Sequence, residues 1–461
     1  VLLYRATGDP RYLEFARYLA SAYDDPNGPK IISSLLHEKS VARTANAKGY
    51  ELLSNLVGLC ELARATGERQ WLTPVLLAWE DITARRLYLT GSATQGEHFH
   101  DDFELPNHPS ANIGETCVTT TWIQLNSQLL RLTGEARFAD ALEQTFINHL
   151  AAAQRPDGAH WCYFTALEGT KPYGPGINCC VSSGPRGMAL IPQHACLIVN
   201  TPDPQPPILA LSLFEMWTAN LAIEGTSVRL DHFADLTRPG HYTLTLRTPK
   251  PIRLGFKIRT PDWARPLHVR VGRSQPRTVL RDGWTVLPAR RWKDGDQLHL
   301  QLTLQGRILQ GNHGNQGLAA ALWGPAVLAY DEAYNPDLGP ISAIGFAHPP
   351  KEPTVLFTSD PDGSAIFKVA VRSARVPGMH RANFVLFADA GSTSSRYRVW
   401  LPAPDSPLPR NPSVFGFGPE TRSRRGNVSG SITDGEPDTF VVTFDGQPQT
   451  EAWFADRKSV V

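Results

Sequence analysis

The sequence predicts a multidomain α + β protein in which a helical array precedes a β-sandwich region. Two observations carry this. A short phrase recurs at Arg5-Ala6-Thr7-Gly8-Asp9-Pro10-Arg11-Tyr12, Arg64-Ala65-Thr66-Gly67-Glu68-Arg69-Gln70-Trp71 and Arg131-Leu132-Thr133-Gly134-Glu135-Ala136-Arg137-Phe138, at intervals of about 60 residues. After Thr201-Pro202-Asp203-Pro204-Gln205-Pro206-Pro207 the apolar period changes from helical to alternating.

Each copy of the phrase closes one apolar-periodic stretch with a Gly at a helix C′ position and opens another, the pattern of repeated αα-hairpins. A helix is expected from about Thr116 to Leu132, with Val118, Trp122, Leu125, Leu129 and Leu132 along one face. A second is expected over 136–153, carrying Phe138, Leu142, Phe146 and Leu150. A closed (α/α)6 toroid would need about twice this helical sequence. Residues 1–200 are therefore expected to be part of a toroid whose other hairpins lay upstream.

Residues 208–402 read as a β-sandwich region, with the alternation of Tyr242-Thr243-Leu244-Thr245-Leu246-Arg247 and Gln297-Leu298-His299-Leu300-Gln301-Leu302 as its clearest strands. A loop-rich insertion falls near Asn335 to Pro353, and the region runs on through Tyr397-Arg398-Val399-Trp400-Leu401. A Pro/Ser/Arg-rich linker spans 403–425, and 426–461 reads as the start of a further, truncated β-rich module.

Composition narrows the function. The 461 residues carry 45 basic and 44 acidic side chains, a net charge of +1, so no global field draws the chain to nucleic acid or an anionic membrane. An uncharged partner is expected. With 41% apolar and 19% charged residues the chain is far from the signature of disorder. No apolar run reaches the roughly 18 residues of a spanning helix, and the first residues lack a signal-peptide layout. The sequence lacks an initiator Met and stops without a closing element, which reads as a fragment of a longer protein; neither localisation nor oligomeric state is legible in it. Eleven Trp suit the stacking surfaces of sugar-binding proteins. The six cysteines (Cys60, Cys117, Cys162, Cys179, Cys180, Cys196) are too sparse for a disulfide framework.

Two segments carry chemistry. Glu115-Thr116-Cys117 and Cys179-Cys180 offer four soft or anionic ligands for one divalent metal, and thiolates favour zinc over magnesium or calcium. Spacing alone leaves buried structural thiols as an equal reading. Gly96-Glu97-His98-Phe99-His100-Asp101-Asp102-Phe103-Glu104-Leu105-Pro106-Asn107 is a dense acidic and His cluster between helices. Glu97 is its candidate general acid, with a solvated acidic loop or a calcium site as the alternative.

Taken together, Gly96-Glu97, Leu105-Pro106-Asn107, Glu115-Thr116-Cys117, Asn148 with Gln154 and Pro156-Asp157-Gly158, Cys179-Cys180 and Gly184-Pro185-Arg186 resemble glycoside hydrolase family 127, formerly a domain of unknown function. The similarity extends from about Thr7 to Leu401, through Arg259-Thr260-Pro261-Asp262-Trp263, Trp292-Lys293-Asp294-Gly295-Asp296 and Trp323-Gly324-Pro325. The resemblance implies a toroidal catalytic domain and a bacterial-type, retaining, exo-acting β-L-arabinofuranosidase acting on an arabinose-containing oligosaccharide or glycan. It makes Cys179 the nucleophile, kept deprotonated by Zn2+, and Glu97 the acid/base. Glu115, Cys117 and Cys180 become the other zinc ligands, and Glu143 and Tyr163 contacts to sugar hydroxyls.

One departure is visible. Family members often carry a His at the start of the helix that here begins Ala47-Lys48-Gly49-Tyr50-Glu51-Leu52, and none is present. Tyr50 or Glu51 is then either a substitute hydroxyl partner or a residue that caps and packs the helix. Related sugars of the plant cell wall stay open as substrates. The tail, from Gly426-Asn427-Val428-Ser429, resembles a discoidin-type carbohydrate-binding module, with a plain accessory domain as the alternative. Two other functions fit the residues: an inverting glycosidase pairing Glu97 with Asp101 or Asp102, and a non-catalytic glycan-binding scaffold clipped by a structural zinc.

Overall fold

The computed structural model describes residues 1–408 apart from 175, 200, 203, 235–238, 349–354 and 360–364, together with the strands Val428–Ser429 and Phe440–Val441. The protein is a multidomain α + β chain, as its sequence pattern predicts.

The recurring phrase marks helix ends. Gly8, Gly67 and Gly134 adopt φ of 72°, 73° and 70°, and their N–H groups donate to the carbonyls of Tyr4, Ala63 and Leu130. This left-handed cap favours glycine because a Cβ would be strained there. The pairs it produces are Leu2–Thr7 with Pro10–Ala22, Gly49–Thr66 with Arg69–Arg85, and Thr116–Thr133 with the segment that begins at Ala136.

Thr116–Thr133 departs from the expected single apolar face. It packs against Gly49–Thr66, Ala136–Gln144 and Cys179–Leu190, and is buried nearly all round. Its hydroxyls find local partners instead of water: Thr119 and Thr121 donate to the carbonyls of Glu115 and Cys117, and Thr120 to that of Ser183. The expected helix over 136–153 is also interrupted, with a π-turn at Thr145–Leu150 between Ala136–Gln144 and Ala151–Ala153. The wider turn re-aims the side chains that follow it. Asn148 donates to the Pro325 carbonyl at 3.1 Å and accepts from the Val327 N–H at 2.7 Å, which clamps the turn to a β-sheet.

The expected β-sandwich region contains two β bodies. In the first, strands Leu267–Val271, Gln297–Leu302, His241–Arg247, Thr226–Ala234 and Trp217–Ile223 form one sheet. Val279–Arg281, Trp284–Trp292, Ile252–Arg259, Ile208–Leu211 and Cys196–Val199 form the other. Leu230, Leu244, Leu246, Leu298 and Leu300 share a core with Leu254, Phe256, Ile258 and Trp292, so the period-2 pattern reports the buried face. Cys196–Val199, placed in the helical part by the sequence, belongs to this body. The second body is a ten-stranded sheet from Gly306–Gln310 to Leu401–Pro402, and it takes in Glu168–Gly169, which pairs with Tyr397–Arg398. The linker expected at 403–425 lies outside the described residues from 409 onward, as does the module expected at 426–461 apart from its one strand pair.

A buried charge cluster joins the helices to the first β body. Arg259 is fully buried; its guanidinium donates to Asp140 at 2.8 Å, to Glu143 and to the Ser212 carbonyl. Removing one partner of such a cluster strands the others without compensation. Arg259→Leu is expected to destabilise the protein by about 3–5 kcal/mol in urea unfolding, part of it recovered by adding Glu143→Gln. A loss near zero would show that water reaches the joint.

Candidate active site and metal cluster

Four predicted ligands meet. The donor atoms of Glu115, Cys117, Cys179 and Cys180 all lie within 4.8 Å of one another. Two helix starts bring them there. Glu115 immediately precedes Thr116–Thr133, with Cys117 in its first turn. Cys179 and Cys180 open Cys179–Leu190, where the Asn178 side chain caps the N–H groups of Cys180 and Val181. The segment at Cys162 and Tyr163 touches both starts: the Thr116 N–H donates to the Tyr163 carbonyl at 3.0 Å, the Thr116 hydroxyl to the Cys162 carbonyl at 2.8 Å, and Cys180 Sγ lies 3.8 Å from the Tyr163 carbonyl.

The cluster fits zinc. Cys117 Sγ is 3.5 Å and Cys179 Sγ 4.0 Å from Cys180 Sγ, bracketing the ~3.8 Å edge of a tetrahedron with zinc–sulfur bonds near 2.3 Å. Glu115 Oε2 is buried without a hydrogen-bond partner, a costly state for a carboxylate that a cation relieves. Ionisation is unequal across the set. Burial, then the Cys117 sulfur, pushes Glu115 up to about 8. Cys117 is lowered to about 6, first by Cys180 and also by Ser183, whose Oγ is 3.2 Å away, while the same contact drives Cys180 upward. Glu115, Cys179 and Cys180 are raised and Cys117 alone is lowered, so ionising the whole set calls for a cation among them.

Glu97 reaches this cluster through Tyr163. The Tyr163 hydroxyl donates to Glu97 Oε1 at 2.7 Å and lies 3.6 Å from Cys179 Sγ. Lys48 Nζ holds Glu97 Oε2 at 3.2 Å and Glu51 at 3.3 Å. Glu97 is lowered, chiefly by Tyr163, with burial opposing and Lys48 adding to the lowering; burial and the Glu97 contact raise Tyr163. Glu97 has φ of 70°, a strained conformation for a side-chain-bearing residue, of the kind that gathers at functional sites. Cys179 is the exposed member of the metal set and is raised by burial of its surroundings.

Other expected site residues fall elsewhere. Glu143, expected at a sugar hydroxyl, lies buried against Arg259 in the joint to the first β body. Tyr50 is half-buried and packs against the helical core, while Glu51 pairs with Lys48. Asp102 is held by Arg86 at 2.6 Å and Arg85 at 3.2 Å. His98 and His100 bond the carbonyls of Gly96 and Gln95, fixing the loop backbone.

Lys48, Ser183 and His149 were not anticipated from the sequence. His149, in the π-turn, bonds Thr90 Oγ1 at 2.7 Å and the Gly114 carbonyl at 3.2 Å, one residue before Glu115. A Cβ on Gly114 would sit 2.1 Å from His149 Nε2, so this close approach requires glycine. Ser183 had a local signal, three residues after Cys180 on the same helix.

The comparisons agree with this architecture. Residues 1–193 match the family described as beta-L-arabinofuranosidase, GH127 catalytic domain, and 209–304 match beta-L-arabinofuranosidase, GH127 middle domain. The chain belongs to the GH127 beta-L-arabinofuranosidase family. It is 26% identical over 385 residues to a non-reducing end beta-L-arabinofuranosidase of Bifidobacterium longum, covering 72% of this chain and 56% of the relative. The chain thus spans just over half the length of that curated protein. Among solved structures, a GH127 beta-arabinofuranosidase superposes with a TM-score of 0.73 at 21% identity, covering 87% of this chain and 67% of the other. A GH127 beta-L-arabinofuranosidase from Geobacillus stearothermophilus superposes at 0.70 and 19% identity, covering 87% and 70%. These likenesses show a shared fold.

Proposed function

We propose that the chain is the catalytic and middle portion of a retaining, exo-acting glycoside hydrolase that releases β-L-arabinofuranose, or a related plant cell-wall sugar, from an arabinose-containing oligosaccharide or glycan. Cys179 is the nucleophile and Glu97 the acid/base. Zinc is held by Glu115, Cys117, Cys179 and Cys180, and the helical hairpins belong to an (α/α)6 toroid. The observation that carries the reading is the convergence of these four donors around one exposed sulfur, with Glu97 one hydroxyl away.

In the first step Glu97 protonates the departing glycosidic oxygen while the Cys179 sulfur bonds to the anomeric carbon and the carbon–oxygen bond breaks. In the second, Glu97 takes a proton from water, whose oxygen displaces the sulfur. Zinc, when bound, keeps the Cys179 sulfur ionised at neutral pH, which makes it both an attacking and a leaving group. Tyr163 sits between the two reacting side chains and orients each. Two inversions restore the anomeric configuration. NMR of the first-formed product from an aryl β-L-arabinofuranoside is expected to show the β anomer; the α anomer would favour the two-carboxylate mechanism.

Lys48 contributes, after Tyr163, to the pH at which the acid is lost. Tyr163 and Lys48 stabilise the Glu97 anion, so the proton leaves at lower pH than from an unpaired Glu, and kcat/KM falls as pH rises through that value. Lys48→Met removes part of this stabilisation. The alkaline limb of the kcat/KM profile is expected to move to higher pH, most clearly at low salt because the pair is partly exposed. A limb that stays in place would remove Lys48 from this role.

A further inference from the structure

A depression of about 700 Å3 lies on the outer face of the first β body, on strands His241–Arg247, Gln297–Leu302 and Leu267–Val271. Its size is that of a small-molecule site. Strand register aligns two rows across it: His241, Gln301 and His268 in one, Thr243, His299 and Arg270 in the next. Directly opposed residues on one face approach to about 5 Å, so these side chains form a single polar surface. Phe233, 59% exposed, stands beside Thr243 and extends the second row with an aromatic ring.

Arg270 is the informative residue. Elsewhere on the same sheet the exposed arginines have carboxylates: Arg229 pairs with Asp231 at 2.9 Å and Arg247 with Asp294 at 3.9 Å. Arg270 is exposed, and among the described residues it pairs with no carboxylate and none that line the depression is acidic. A guanidinium left open among imidazole and amide groups is a fork for a carboxylate supplied from outside. Phe233 offers a face for the apolar side of a sugar ring.

We propose that this face binds a carboxylate-bearing saccharide, a chain containing uronic acid, with Arg270 on the carboxylate, His241, His268 and Gln301 on hydroxyls and Phe233 under a ring. The net charge of +1 over the whole chain conceals this local surface. The site stands apart from the cysteine cluster and does not depend on the hydrolase reading.

The test is calorimetric titration of the Cys179→Ser protein, which cannot consume the probe by the proposed route, with a short oligogalacturonate and with the same chain after reduction of its carboxyl groups. The acidic chain is expected to bind at least about tenfold more tightly than the reduced one, and Arg270→Ala to lose about tenfold or more of that affinity. Arg270→Lys should restore only part of it, because the ammonium lacks the fork. Phe233→Ala, with melting curves for every variant, provides a second probe of the surface. Equal affinity for the two chains, no binding, or binding unchanged in both Arg270→Ala and Phe233→Ala overturns the proposal. Loss of binding only when Glu97 is replaced would put the chain at the cysteine cluster, and also overturns it.

Discussion

Cys179→Ser is expected to lower turnover by about four orders of magnitude or more while the protein keeps its fold. The sulfur is the exposed member of the metal set, so it is the donor that a substrate reaches. A serine oxygen at the same place is a far weaker nucleophile at neutral pH and a poorer zinc ligand, so zinc affinity should fall along with activity. Glu115, Cys117 and Cys180 remain to hold the ion, and Asn178 still caps the helix, so melting in the presence of zinc should change little. Steady-state rates and metal content of the parent and variant, measured on the full-length protein, check this. A variant within about tenfold of the parent would make the cluster structural.

Glu97→Gln is expected to cost about 10²–10⁴ in kcat, with a dependence on the leaving group that a structural defect would not produce. The amide is isosteric and keeps an acceptor for Tyr163, so the loop should hold its position. What is lost is the proton. Aryl substrates with acidic phenols need little protonation and should form the glycosyl-enzyme at nearly the parent rate, after which water attacks without a base. Azide, which needs no base, should restore turnover of such substrates. A loss that is equal for good and poor leaving groups, with no azide rescue, would place the acid on another residue.

Sequence pattern reached those parts of the protein that local chemistry determines. The glycine caps of the hairpins follow from a backbone conformation set within a few residues, and the Glu115, Cys117, Cys179 and Cys180 set follows from ligand type and family resemblance. Tyr163, taken from the resemblance as a sugar contact, lies between Glu97 and Cys179. What escaped is tertiary. Lys48 meets Glu97 across 49 positions of chain, and the acid Glu143, on a helix that carries no mark of its partner, is covered by an arginine 116 positions away. Alternation identified strands without their partners, so the division into two β bodies was not legible, and Glu168–Gly169 gave no sign of joining Tyr397–Arg398. Polar residues that satisfy themselves within a helix, as Thr119 and Thr121 do, hid the all-round burial of Thr116–Thr133.

The most direct test of the account is to find the covalent intermediate. Rapidly quenched Glu97→Gln protein, reacted with an activated aryl β-L-arabinofuranoside and digested, should yield one peptide carrying a pentosyl group on Cys179 in its mass spectrum. An adduct on a carboxylate, or a variant that turns over substrate with no adduct on sulfur, would contradict the thiolate mechanism at its centre.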